Sequence, residues 1–417
     1  MHSQQTPEAI EKHLAGTALT ALIVATVLHG MIHGYSIFLS PLNEQMRRFF
    51  AADTITAITA MKTTYLVVYA MGNLFFGALT NRLSARHTLA AGMVVNGLAV
   101  AAFSRVQPDG IAHMHLLWTL AALGGSVYHP IANVLITRLY PNRKGMVLGV
   151  TGMGAAVGFA FAPLLTSFLS GVLQLTWQPI ALSFGSAGVL VGVLAWFFVP
   201  KIARSHGGHE ATAVETPQPT LGGSATPPVS IVVLSVVIGV ACLREMTMWS
   251  VLDISDFFLT AVLTDSTRTG LFLFLLYLPG IFVKPVVGVL SDRIGRRRLT
   301  SSTMLLYGVA TAAVAVAGPA GLAPLYLLMG LGQAATVPLI EAIVADSTTE
   351  QNRGMVFGAF VTIITGCGAL GPLLSGIALD ALGGTVQAFR LWMVVLGALP
   401  ILGGFILGAL RFPARVD

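Results

Sequence analysis

Gly288 to Arg298 reads GVLSDRIGRRR, and 211 residues earlier Gly77 to His87 reads GALTNRLSARH. Two further pairs keep nearly the same separation. RKGMVLG (Arg143 to Gly149) matches NRGMVFG (Asn352 to Gly358), and APLLTSFLSG (Ala162 to Gly171) matches GPLLSGIALD (Gly371 to Asp380), each at an offset of 209. Three matches in register point to one duplication, so each half of the chain is expected to build the same unit.

Composition says what that unit is. Of 417 residues 55% are hydrophobic and 10% charged, against about 25% charged in a soluble domain. Apolar runs of roughly 20 residues, enough to cross about 30 Å of hydrocarbon, recur along the chain. Twelve are expected, with cores at 17–40, 55–79, 88–104, 113–137, 146–170, 179–199, 229–251, 269–290, 299–317, 322–345, 354–379 and 388–410. Between the sixth and seventh runs a polar stretch rich in Gly, Pro, Ser and Thr reads as a linker. The layout expected is a tail over 1–16, a six-helix bundle over 17–199, a linker over 200–229, a second bundle over 230–410 and a tail over 411–417. The fold class is an all-α polytopic membrane protein of twelve transmembrane helices in two pseudo-symmetric six-helix halves.

Orientation follows the Lys and Arg bias of short loops, not net charge. With the N-terminus in the cytoplasm, fifteen of the 23 basic residues fall inside, six outside or at the outer interface, and Arg244 and Lys284 within spans. Both termini are then cytoplasmic and the protein is expected in a bacterial inner membrane. The net charge of +6 forms no basic cluster beyond the inner loops, so nucleic acid is not an expected partner. The first run is too long for a signal-peptide core and lacks a small-residue cleavage site after it. Cys242 and Cys367 both fall inside spans, so no disulfide framework is implied.

GVLSDRIGRRR resembles the loop signature G-x-x-x-D-R-x-G-R-R of the major facilitator superfamily of secondary transporters, carried here by Gly288, Asp292, Arg293, Gly295, Arg296 and Arg297. The first-half copy keeps Gly77 and Arg82 but has Asn81 for the acid and Ser84 for the glycine. Such a loop pins the cytoplasmic face, and Asp292 is expected to act as a conformational latch against a helix N-terminus of the other half. Gly149, Gly158, Ala162 and Pro163 follow the spacing G-x8-G-x3-G-P, similar to the antiporter motif of drug exporters; Gly358, Cys367, Gly371 and Pro372 echo it. Small residues at these spacings let helices approach closely.

Ionisable groups inside spans are costly and read as functional. They are His29 and His33 in the first span, His129 in the fourth, Arg244 and Glu245 in the seventh, Lys284 in the eighth and Glu341 in the tenth. LHGMIHGYS (Leu28 to Ser36), GSVYHPIANVL (Gly125 to Leu135) and CLREMTMW (Cys242 to Trp249) resemble the fosmidomycin-resistance branch of the superfamily, which carries a histidine, a His-Pro pair and an arginine in these spans and whose named substrate is an anionic phosphonate. Arg244 cannot lose its proton and must find an anion. Glu341 is its expected internal partner. Glu245, about 100° away round the helix, is not. Lys284 is expected to reach the cytoplasmic interface.

The His29–His33 spacing is also that of metal ligands, but the span offers no third ligand and no metal is expected. A proton-linked site is preferred over two hydrogen-bonded rings, because histidine titrates near neutral pH. His129 joins His33 and His29 in it, with Glu341 and Glu245 as further proton carriers. Tyr35, Tyr128 and Asn133 are candidate substrate contacts beside Arg244. The expectation is a proton-coupled exporter of a small organic anion or amphipathic drug, monomeric and without cofactor, working by alternating access. Anion–proton uptake is the runner-up and a non-transporting membrane sensor the third reading. No nucleotide loop or nucleophile elbow supports an enzyme.

Overall fold

A computed structural model describes residues 7–141, 143–200, 231–263, 268–348 and 353–410. The expected linker and the outer parts of both tails lie outside them. The first half comprises α1 (Pro7–Ile37), α2 (Asn43–Phe49), α3 (Ile55–Leu79), α4 (Ala85–Ala102), α5 (Ile111–Ser126), α6 (Tyr128–Leu139), α7 (Lys144–Gly171) and α8 (Trp177–Phe198). The second comprises α9 (Ile231–Leu263), α10 (Thr269–Tyr277), α11 (Pro279–Ile294), α12 (Arg296–Ala313), α13 (Pro319–Asp346), α14 (Arg353–Ala381) and α15 (Val386–Ala409).

These helices make twelve crossings. Helix α2 is a short connector, and two crossings are broken near prolines. Pro130 has no N–H to give back to Ser126, and α5 hands over to α6 there; Pro279 likewise opens α11 directly after α10. Two helix starts carry a side-chain cap. Thr54 accepts a hydrogen bond from Ala57 N at 3.2 Å to start α3, and Thr385 does the same for Ala388 N to start α15.

Glycine decides how closely the helices approach. A Cβ on Gly158 would stand 1.9 Å from Gly30 O, so α1 and α7 touch backbone to backbone. In the second half a Cβ on Gly371 would stand 2.4 Å from Met246 O, giving α9 and α14 the same contact. The helix pairs correspond across the duplication, although at the shared offset Gly371 matches Ala162 and Gly158 matches Cys367. Outward, the surface is apolar: Phe75, Leu190, Phe197, Phe282 and Phe405 are all exposed, as side chains facing lipid must be.

Contact between the halves is uneven along the bundle. At the end where α1 and α9 finish, one core runs continuously through both halves, from Phe38, Tyr65 and Trp118 to Phe258, Leu273 and Tyr326. At the end where they begin, the core splits. Ala21, Leu22, Ile136 and Val147 cluster in the first half, while Val237, Met304, Ile343 and Leu407 cluster in the second. Polar contacts between the halves are found on the closed side: Ser167 Oγ accepts from Gly270 N at 2.8 Å, and Thr63 Oγ1 donates to Ala369 O at 2.9 Å. The halves are therefore joined at the far end and parted at the end where the chain enters α1.

Candidate functional site

Three sets of polar side chains occupy the bundle interior. The first is the histidine set. His29 and His33 lie one turn apart on α1, and α6 brings His129 beside them, with ring centroids 4.9 Å from His29 and 5.5 Å from His33. His29 Nδ1 bonds Thr151 O of α7 at 2.8 Å; since a carbonyl only accepts, this nitrogen carries the proton. His29 Nε2 then presents its lone pair to His33 Nε2, 3.1 Å away. One ring nitrogen from each of the three histidines lies within 4.8 Å of the other two. Phe159 covers His33 and stacks on Tyr277 of the other half, centroids 4.7 Å apart.

Tyr35 and Tyr128 are placed otherwise than expected. Tyr35 is buried, donates to Phe184 O and fills the space left by Gly188. Tyr128 is fully buried, donates to Ala25 O at 2.8 Å and stacks on His29. Both serve helix packing, and neither offers its hydroxyl to a ligand. Asn133 stays half-buried one turn after His129.

The second set surrounds Arg244, which is 3% exposed in the middle of α9. Its guanidinium donates to the Glu245 carboxylate and to Gln333 Oε1, and Nη2 also reaches Gln333 O at 3.2 Å. The expected Arg244–Glu341 pair is thereby corrected. The long arginine stem folds back to its neighbour, which angular separation at the Cα alone had excluded. The charges acting on Glu341 are Lys284, Arg244 and Glu245, so Lys284 joins this set instead of standing apart as an interface anchor. Arg244 keeps one donor in reserve, since its buried Nε has no partner among the described residues.

The third set was missed by sequence reasoning. Lys62, placed by loop counting at the outer interface, is 6% exposed within α3 and donates to Ser36 O. It lies under the Trp118 ring, 5.2 Å from the centroid, and lines a small cavity with Asn43 and Asp253. Asn43 Nδ2 donates to Asp253 O at 2.7 Å, and Glu44 N donates to Asp256 Oδ2 at 2.8 Å, both across the two halves. The available signal was a lysine well inside an apolar run, with two acids, Asp253 and Asp256, just beyond the seventh run.

The Asp292 side chain lies outside the described residues; Arg82 and Arg293 are exposed, and Gly77 and Gly288 are not packed tightly against other helices. On that side Arg296 pairs with Asp346 within its own half.

A sequence profile of the Major Facilitator Superfamily matches residues 14–264 and 234–417. The chain belongs to that superfamily. This member is 35% identical over 96 residues to the methyl viologen resistance protein of Salmonella typhimurium, 22% of this chain and 19% of that one. It is 30% identical over 152 residues to a chloramphenicol resistance protein of Pseudomonas aeruginosa, 36% of this chain and 35% of that one. The matched region thus spans a fifth to about a third of these relatives' length. In fold the superfamily member is similar to a bacterial homologue of the human lysosomal transporter Spinster, solved inward-facing and unoccupied, with a TM-score of 0.74 over 97% of each chain at 13% identity. It is an integral membrane protein.

Proposed function

We propose that this superfamily member exports a small organic anion, or an amphipathic drug bearing an anionic group, from a bacterial cytoplasm by alternating access. The observation that carries this reading is Arg244, a permanent cation buried in the second half with an unused Nε donor and partners that a ligand carboxylate or phosphonate can replace. The resistance relatives support the outward direction. The parted end bears the Arg-rich loops and so faces the cytoplasm, presenting the site to the side from which an exporter loads.

The ion pair favours a second reading of the coupling. When an anion takes Arg244, Glu245 loses its counter-charge and gains reason to bind a proton, so anion and proton enter together, as in uptake by symport. Glu341 and Lys284 complete that network.

Counterflow of labelled organic anions in proteoliposomes tests transport itself, with sealed liposomes lacking protein as the baseline. Imposed pH gradients of each sign then separate the directions. Anion efflux stimulated by an inward proton gradient supports export by antiport, whereas anion accumulation with protons supports symport. Absence of counterflow for every anion and drug tried would overturn the anion assignment.

A further inference from the structure

We propose that His29, His33 and His129 form a binding site for a borderline divalent metal ion of the zinc class, with a fourth position left open to water or an anionic oxygen. The inference concerns the first half of the chain and does not depend on which cargo Arg244 selects.

The absence of a third ligand in the first span was the reason to set a metal aside. Helix α6 supplies that ligand. In a tetrahedral site with metal–nitrogen bonds of about 2.0–2.1 Å, neighbouring ligand nitrogens stand about 3.3 Å apart. His29 Nε2 and His33 Nε2 are 3.1 Å apart, already near that spacing. The His129 nitrogen lies within 4.8 Å of both, and metal binding would draw it inward to the same centre. The surroundings suit the role as well. A ligating histidine donates its other ring N–H to a carbonyl or carboxylate, which fixes tautomer and ring plane. His29 does this through Nδ1 to Thr151 O, and Tyr128 stacked on its ring holds the plane. On the remaining side His33 meets the Phe159 ring, and among the described residues no further His, Cys, Asp or Glu joins the three.

Charge also bears on the site. Lys284 of the second half acts on both His29 and His33. A cation there disfavours a bare dication and favours one that carries an anionic fourth ligand, the class of group Arg244 would select on its own side. Three imidazoles suit zinc, cobalt(II) and nickel(II), and are poor ligands for magnesium or calcium.

The test is titration of the purified full-length protein in detergent with cobalt(II), whose tetrahedral complexes give a visible ligand-field band. Because His2, His13, His206 and His209 in the tails and linker region offer competing imidazoles, all four are first replaced by alanine. The expected result is one cobalt per chain, displaced by zinc, with affinity reduced at least tenfold in His33→Gln and in His129→Gln. His115→Gln, whose ring bonds Thr64 away from the set, serves as the folding control and should bind normally. If no band forms, or if it survives unchanged in both variants, the metal site is wrong. In that event pH profiles of transport in the same variants ask whether the three rings hold a shared proton.

Discussion

The Asp380 carboxylate, at the end of α14, accepts hydrogen bonds from the backbone of Ile55 at 2.7 Å and of Thr56 at 2.9 Å, where α3 begins in the other half. Its Oδ2 also accepts from Thr56 Oγ1. An acid of one half thus caps a helix of the other, the arrangement expected of Asp292 but found at the opposite end of the molecule. A carboxylate at a helix N-terminus contributes about 0.3–1 kcal/mol, and up to about 2 kcal/mol when partly buried. Asp380→Asn should therefore shift the resting balance towards the state open at the far end by about twofold to thirtyfold. Cysteine labelling from each side of the membrane measures this, and unchanged labelling would make the cap a structural detail.

Lys62 and Asp253 share a buried cavity at the same closed end. Removing one member of a buried charged set leaves the other uncompensated, at a cost of about 3–5 kcal/mol. Lys62→Met and Asp253→Asn should each lower thermal stability or favour the opposite conformation, while the double variant should recover much of the loss. Additive losses would show that the two charges do not act on each other.

The duplication and the apolar runs were legible because a bilayer imposes length and composition on every crossing. Arg244 and His33 stood out for a related reason: each is costly in an apolar helix. Arg244's partners did not stand out. Gln333 is neutral, and the turn of Glu245 back onto its neighbour depends on side-chain reach, which helical angle does not describe. Lys62 did not stand out because it was counted among the basic residues at the outer interface, where a lysine normally extends its amine to water. Asp380 was not recognised at all, since its partner is backbone and exists only when the far end is closed.

Gly158 tests helix approach. Its missing Cβ leaves Gly30 O against the α7 backbone, so Gly158→Leu should force α1 from α7 and displace His29 from Thr151. Loss of folded protein or of transport is expected, whereas Gly149→Ala, where a Cβ meets nothing within 4 Å, should be tolerated. Normal transport by Gly158→Leu would remove close packing as the reason for the small-residue motif.

The relation between Arg244 and Glu245 gives the most discriminating outcome. Arg244→Gln should abolish anion binding at every pH, because arginine does not titrate in the accessible range. Arg244→Lys should not restore it: one ammonium cannot bond Glu245, Gln333 and a ligand in the plane a guanidinium spans. Glu245→Gln should act in the opposite sense. With no carboxylate competing for Arg244, the anion binds as tightly at about pH 8 as at about pH 5, whereas in the parent protein affinity rises as pH falls and protonation releases the guanidinium. Lys284 and Glu341 remain in both proteins, so the difference isolates the pair. Equilibrium binding of a labelled anion to the purified protein, measured across that range, decides it. A parental pH profile that persists in Glu245→Gln would assign the proton to Glu341 instead, and binding that survives in Arg244→Gln would place the anion elsewhere in the bundle.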